Sequence, residues 1–178
     1  MAASRQYHAM GREFKADESG QALTEFALIL PTLLVLAFAM IDFGRALSDM
    51  QVMSGLTRQG SNLASRGTSL SASAAAVIAG DAPLNLNSNG EVIVTSVSLV
   101  NSVNTITGQA SQGGISCSSK IGQGTGNPAA VPPGVAAMLQ SGQTVYVTEV
   151  FYTYQPITPV GKLLNIVMPS TLYVAAYF

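Results

Sequence analysis

The chain is 178 residues long, room for about one domain and one additional element, which excludes a multidomain enzyme. Hydrophobic residues make up 48% of it and charged residues 10%, against roughly 25% charged in an ordinary soluble domain, so much of the surface is expected to face lipid or other subunits. The formal net charge is -1 and no basic cluster lies beyond the start of the chain, so nothing is present to neutralise a phosphate backbone, and nucleic-acid binding is set aside.

The charges crowd the start: Arg5, Arg12, Glu13, Lys15, Asp17 and Glu18 all precede Gly20. From Phe26 to Ile41 the chain reads FALILPTLLVLAFAMI without a charge, and Ala22 and Leu23 extend the run backwards past Thr24 and Glu25. At 1.5 Å per residue a helix from Ala22 to Ile41 is roughly 30 Å long, the thickness of a bilayer's hydrocarbon core. Lys and Arg ahead of the run predict a cytoplasmic N-terminus and an exported remainder. A secretory signal peptide is the first rival. The run is longer than the roughly 7 to 15 residues of such a core, and Asp42, Phe43, Gly44 and Arg45, which follow it, form no small-x-small cleavage site, so the segment is expected to stay. Pro31 lacks an amide hydrogen and is predicted to loosen or kink the helix, which membrane helices tolerate.

Glu25 stands near the start of the apolar segment. A charge at the bilayer centre costs roughly 2.5 to 3.5 kcal/mol or more, so Glu25 needs a partner, a proton, or a place at the headgroup boundary from which it reaches water. Its setting is Gly20-Gln21-Ala22-Leu23-Thr24-Glu25-Phe26, with the glutamate fifth after a glycine that closes a polar leader. This resembles a type IV prepilin processing site. The longer run from Ser19 to Gly67, with GQALTEFALILP at its start and IDFGRAL at the membrane exit, resembles the TadE-like minor pilins, or pseudopilins, of tight adherence (Flp-type) pilus systems.

The resemblance implies that a prepilin peptidase cuts between Gly20 and Gln21, leaving residues 1–20 as a cytoplasmic leader, and that Glu25 and Phe26 serve assembly and register. It also implies the partners: the prepilin peptidase, a major Flp-type pilin, other TadE-like and TadF-like pseudopilins, the inner-membrane assembly platform and membrane lipid. The location implied is the inner membrane, with a single pass and a periplasmic head. A freed Gln21 amine would lie one helical turn from Glu25 and, between staggered subunits, could pair with a neighbour's Glu25. Two unit charges 4 Å apart interact by roughly 4 kcal/mol at an effective dielectric near 20, before desolvation is subtracted. Loss of the leader would also remove His8, the sole histidine, and with it Ser-His-Asp and Cys-His catalysis and any His-ligated metal centre.

Residues 21–42 are read as the transmembrane part of one helix, 43–80 as its extracytoplasmic extension and 81–178 as a head. Beyond Asp42 the pattern turns amphipathic, with a stripe of Leu47, Met50, Met53, Leu56 and Leu63 expected to pack on the head. The helix is predicted to end between Gly67 and Ala79, with breaks at Gly60 or Gly67 in view, before Gly80, Asp81 and Pro83 stop it.

Glu91–Val100, Gln143–Tyr154 and Thr171–Phe178 are rich in Val, Thr, Tyr and Ile and read as strands. Ser111–Pro133, with its many Gly and Pro, reads as loop, and KLLNIV within Val160–Met168 as a short helix before Pro169. The fold class expected is α+β: a small antiparallel sheet of three or four strands laid against the exposed half of the long helix.

Tyr146, Tyr152, Tyr154, Tyr173 and Tyr177 are read as cross-strand packing rather than an adhesive patch. Cys117, the only cysteine, excludes an intrachain disulfide, and no cation stands near it in sequence to activate its thiol. Asp42-Phe43-Gly44 spells a kinase triplet without a kinase's other motifs, and GQGTG at 122–126 lacks the lysine of a phosphate loop; both are coincidence. The function expected is that of a structural pilus subunit, with no catalytic residue, cofactor or metal. A signal-anchored periplasmic binding module is the alternative. An anchored hydrolase would have to build a paired carboxylate site from Asp81, Glu91 and Glu149.

Overall fold

The structure, a computed structural model, describes the backbone of residues 3–159, 161 and 170–178, and side chains from Gly20 onward. The short helix expected within 160–168 lies outside the described residues apart from Gly161.

Helix α1 spans Ala3–Ser65, about 95 Å at 1.5 Å per residue. It starts upstream of the expected Gln21 because residues 3–20 are mostly good helix formers without a proline, so nothing stops the helix from propagating through the leader. Pro31 lies inside it and leaves the Ala27 carbonyl without its intrahelical donor. The helix stops at Gly67, whose φ of +92° suits glycine, and the Thr68 N–H to Leu63 carbonyl and Gly67 N–H to Ala64 carbonyl bonds close a Schellman motif. Helix α2, Leu70–Ala79, follows, its first turn capped by the Ser69 hydroxyl, which accepts from the Ala72 N–H. The Ala/Ser-rich stretch is thus a second helix folded back on the first.

The head contains β1 (Gly90–Val100), β2 (Val103–Gly113), β3 (Thr144–Thr153) and β4 (Thr171–Tyr177), with single-turn helices α3 (Leu86–Asn89) and α4 (Pro133–Ala136). The strands form one antiparallel sheet in the order β2-β1-β3-β4, the α+β head expected. Strand β2 is the one the sequence does not announce. It is an edge strand of mostly polar residues, VNTITGQASQG, and so lacks the apolar alternation of a buried strand. A two-residue turn joins it to β1, with Asn101 and Ser102 both at positive φ, as a tight hairpin requires.

The two central strands, β1 and β3, are buried almost throughout because both faces of the sheet are covered. On one face Val92, Val94, Val150, Tyr152 and Leu172 meet Met53, Leu56, Ala64, Ala74 and Val77 of the two helices. On the other, Val97 and Val147 meet Ile121 and Leu139 from the long loop between β2 and β3. The tail of that loop also closes the β2 edge, where the Ile106 N–H donates to the Asn127 carbonyl and the Ala129 N–H to the Asn104 carbonyl.

The helix face that meets the head is only partly the one expected: Met53 and Leu56 of the predicted stripe are buried in the core. Leu47 and Met50 of the predicted stripe are exposed. The buried line instead runs through Asp42, Ala46, Asp49, Met53, Thr57, Gly60, Ser61 and Ala64. Small side chains let the helix backbone approach the sheet. A Cβ on Gly60 would come within 2.8 Å of Thr148 Cγ2, Thr148 Oγ1 and Val77 Cγ2. Ser61 adds a bond from its hydroxyl to the Ala176 carbonyl at 3.0 Å.

Candidate functional site: the membrane helix, its junction and its exit

The described part of α1 from Gly20 onward is long and apolar enough to cross a membrane, and only 6% of its most apolar window is buried. A core helix of that composition would be covered by its own protein; this one is bare. The expected site residues Gly20, Gln21, Glu25, Phe26 and Pro31 are all exposed on it. Gln21 and Glu25 face each other one turn apart, the Gln21 side-chain amide donating to Glu25 Oε1 at 3.1 Å, while the Thr24 hydroxyl donates to the Gln21 carbonyl at 2.7 Å. Within an intact chain the carboxylate is therefore engaged by its own helix, and the Gly20–Gln21 bond lies in continuous α-helix.

At the exit the expected residues separate. Phe43, Gly44 and Arg45 are exposed, whereas Asp42 is 0% exposed. Its carboxylate accepts from the Ile157 N–H at 3.1 Å, the Thr158 N–H at 3.4 Å and the Thr158 hydroxyl at 2.5 Å. Its backbone carbonyl accepts from the Tyr154 hydroxyl at 2.7 Å. Three donors converge on this one carboxylate, and charge-assisted bonds of this kind are about twice as strong as neutral ones. The arrangement fastens the end of β3 and the loop after it to the last turn of the span. Tyr154, Ile157 and Thr158 carry no local signal that would tie them to this site; they lie more than a hundred residues along the chain from Asp42. Gly60 does carry one, as a glycine in a helix interior.

Two turns further out, Asp49 is also buried, and burial holds its carboxyl above the ordinary range, with the Arg45 guanidinium offsetting part of the effect. The hydroxyls of Tyr152 and Tyr154 are pushed up, first by burial and then by these nearby acids. Both rings belong to the helix–sheet core, so they do not contribute to a surface aromatic patch.

The three head carboxylates considered for hydrolysis each hold a loop. Asp81 accepts from the Leu86 N–H at 2.5 Å ahead of β1. Glu91 accepts from the Cys117 N–H. Glu149, wholly buried in the middle of β3, accepts from the Ser119 hydroxyl, the Lys120 N–H at 2.8 Å and the Tyr173 hydroxyl at 3.0 Å. The same side of the sheet carries Lys120 Nζ stacked 3.7 Å from the centre of the Tyr173 ring, which also packs on Phe151. Burial, with Glu149 next, pushes the Tyr173 hydroxyl far up, so it stays a donor. Cys117 borders a cleft of about 330 Å³ with Glu91, Gln109 and Ser119. Burial and the neighbouring Glu91 push its thiol up, the opposite of what a nucleophile needs. Among the described residues no cluster of His, Cys, Asp and Glu is arranged to hold a metal ion. Glycines 122, 124 and 126 of the GQGTG run sit at positive φ, and the Gln109 side chain binds the Gly122 carbonyl and the Gly124 N–H, so this loop is a cover for the sheet.

These features define a protein anchored by a single N-terminal apolar helix that carries an α+β head locked to its exit. Residues 20–62, from the glycine before Gln21 to the turn beyond Gly60, match the family model described as TadE-like protein. The match covers about a quarter of the 178 residues, and over that segment the chain is similar to TadE-like proteins. No curated protein and no solved structure matches the chain.

Proposed function

We propose that this chain is a minor pilin-like structural subunit of a tight adherence pilus and not an enzyme: it waits in the inner membrane with its head in the periplasm, is cut by the prepilin peptidase between Gly20 and Gln21, and then packs through α1 into a filament or its base. The observation that carries the reading is an apolar stripe, Leu36, Met40, Phe43, Leu47 and Met50, exposed along α1 on both sides of the membrane exit. At 100° per residue it lies about 90° around the helix from the line that packs on the head. A simple anchor needs no such stripe beyond the lipid; a subunit that buries its helix among others does.

Cleavage has a physical requirement. Proteolysis needs an extended strand, and the bond to be cut lies in helix, so the peptidase must unwind it; Gly20 lowers that barrier by about 1 kcal/mol relative to alanine. Once Gln21 is terminal its amine competes for the carboxylate that its side chain holds, and between staggered subunits it reaches a neighbour's Glu25.

The test is intact mass and N-terminal sequencing from a host with and without the peptidase. The start is expected to move from Met1 to Gln21 only when the peptidase is present; an unchanged Met1 start in both hosts refutes the reading. The alternative of an anchored binding module predicts that Glu25→Ala is tolerated. On the proposal that substitution abolishes assembly and leaves insertion and folding intact.

A further inference from the structure

We propose that the head touches the bilayer through residues 155–159, with the Ile157 side chain seated in the headgroup layer of the membrane that α1 crosses; this rests on α1 spanning that membrane. Three observations converge. Asp42 is the first charged residue after the uncharged run ending at Ile41, so it marks the level at which the span leaves hydrocarbon. The Ile157 N–H is 3.1 Å from Asp42 Oδ1, and both Thr158 donors bind the same carboxylate, which fixes the loop at that level. Ile157 is nevertheless 58% exposed, held outward from the helix end to which its backbone is tied.

The loop has the chemistry of an interfacial segment. Tyr154 to Gly161 reads YQPITPVG, with no charge to resist the lipid boundary. Asp42, directly beneath it, is buried under the loop's own donors and so presents little to the membrane. Phe43, exposed next to Asp42 on the helix, supplies a second apolar side chain at the same height. Thr148 meets Gly60 and the Tyr154 hydroxyl reaches Asp42, so the chain from Thr148 to Tyr154, about 20 Å of strand, runs down along α1 toward the span. The hairpin turn between β1 and β2 is then at the far end, because Ser98 pairs with Thr144 at the top of β3.

The consequence is an orientation. A head attached at one carboxylate could still tilt about the exit; a second contact through Ile157 fixes its tilt on the membrane and with it the direction in which the exposed α1 stripe faces neighbours.

The chain has no tryptophan, so single-tryptophan variants report cleanly. Ile157→Trp, Val103→Trp at the far hairpin and Phe38→Trp in the span would be reconstituted as full chains in phosphatidylcholine vesicles with one acyl chain brominated near its carbonyl end. Ile157→Trp is expected to emit to the blue of Val103→Trp and to lose about half its intensity to the brominated lipid, as interfacial tryptophans do, while Val103→Trp loses none. Adding Asp42→Ala to Ile157→Trp should release the loop and return emission and quenching toward the Val103→Trp values. Quenching of Phe38→Trp without quenching of Ile157→Trp overturns the contact and leaves the span intact. Quenching of neither shows that α1 does not span, and the proposal falls with that reading.

Discussion

Two glycines five positions apart on α1 should respond to the same substitution with opposite sign. Gly55 faces open space, with nothing within 4 Å of the point a Cβ would occupy, so Gly55→Ala only exchanges a poor helix former for the best one and should stabilise by about 1 kcal/mol. Gly60→Ala receives the same benefit, but its methyl meets Thr148 Cγ2, Thr148 Oγ1 and Val77 Cγ2, each at 2.8 Å. These belong to branched side chains inside the packed core and have little room to retreat, so overpacking adds about 1 to 3 kcal/mol in the other direction. The gap between the two variants is the steric part alone, about 1 to 3 kcal/mol, or roughly 4 to 24 °C in Tm for a head of about 100 residues. Thermal unfolding of the full chain in detergent micelles, followed by the near-ultraviolet circular dichroism of its tyrosines, reads that gap. If both variants raise Tm equally, the close approach of α1 to the sheet at Gly60 does not exist.

Among the described residues Thr148 Oγ1 is buried with no hydrogen-bond partner, so the near-isosteric Thr148→Val should raise stability by about 1 kcal/mol; a loss of that size would mean that the hydroxyl is satisfied after all. Asp42→Asn keeps the shape but removes the charge from three hydrogen bonds and is expected to destabilise by about 2 kcal/mol, with faster hydrogen exchange at the Ile157 and Thr158 amides; unchanged exchange there refutes the clamp. For Asp49 the sign follows from a folded pKa raised by burial: the native state holds the proton more tightly, so its stabilising contribution is complete below the ordinary value of 3.8 and is lost as pH rises through the raised value. Asp49→Asn should therefore raise Tm at neutral pH and make no difference near pH 3, and a Tm difference independent of pH would sink that account.

The long apolar helix and the three apolar strands were legible because their signals are local. A helix's worth of uncharged residues, a glutamate at a fixed distance from a glycine, and runs of Val, Thr and Tyr each announce themselves within a window of about twenty residues. Gly67 likewise marks the helix stop, because a left-handed residue at a C-terminus is a one-residue requirement. Strand β2 escapes because an edge strand with polar neighbours has no apolar period to read.

The face of α1 that meets the head is hidden in the sequence for a related reason. Hydrophobicity favours Leu47 and Met50, but the sheet approaches closely enough that small residues fit there and large ones stay outside on the stripe assigned to other subunits. Sequence alone determined that this chain has a long apolar helix and a β-containing head, since those depend on each segment's own solvent preference. Only the tertiary structure decided that Asp42 is the lock between anchor and head: a buried carboxylate needs donors that converge on it, and here backbone and hydroxyl donors arrive from a loop more than a hundred residues away.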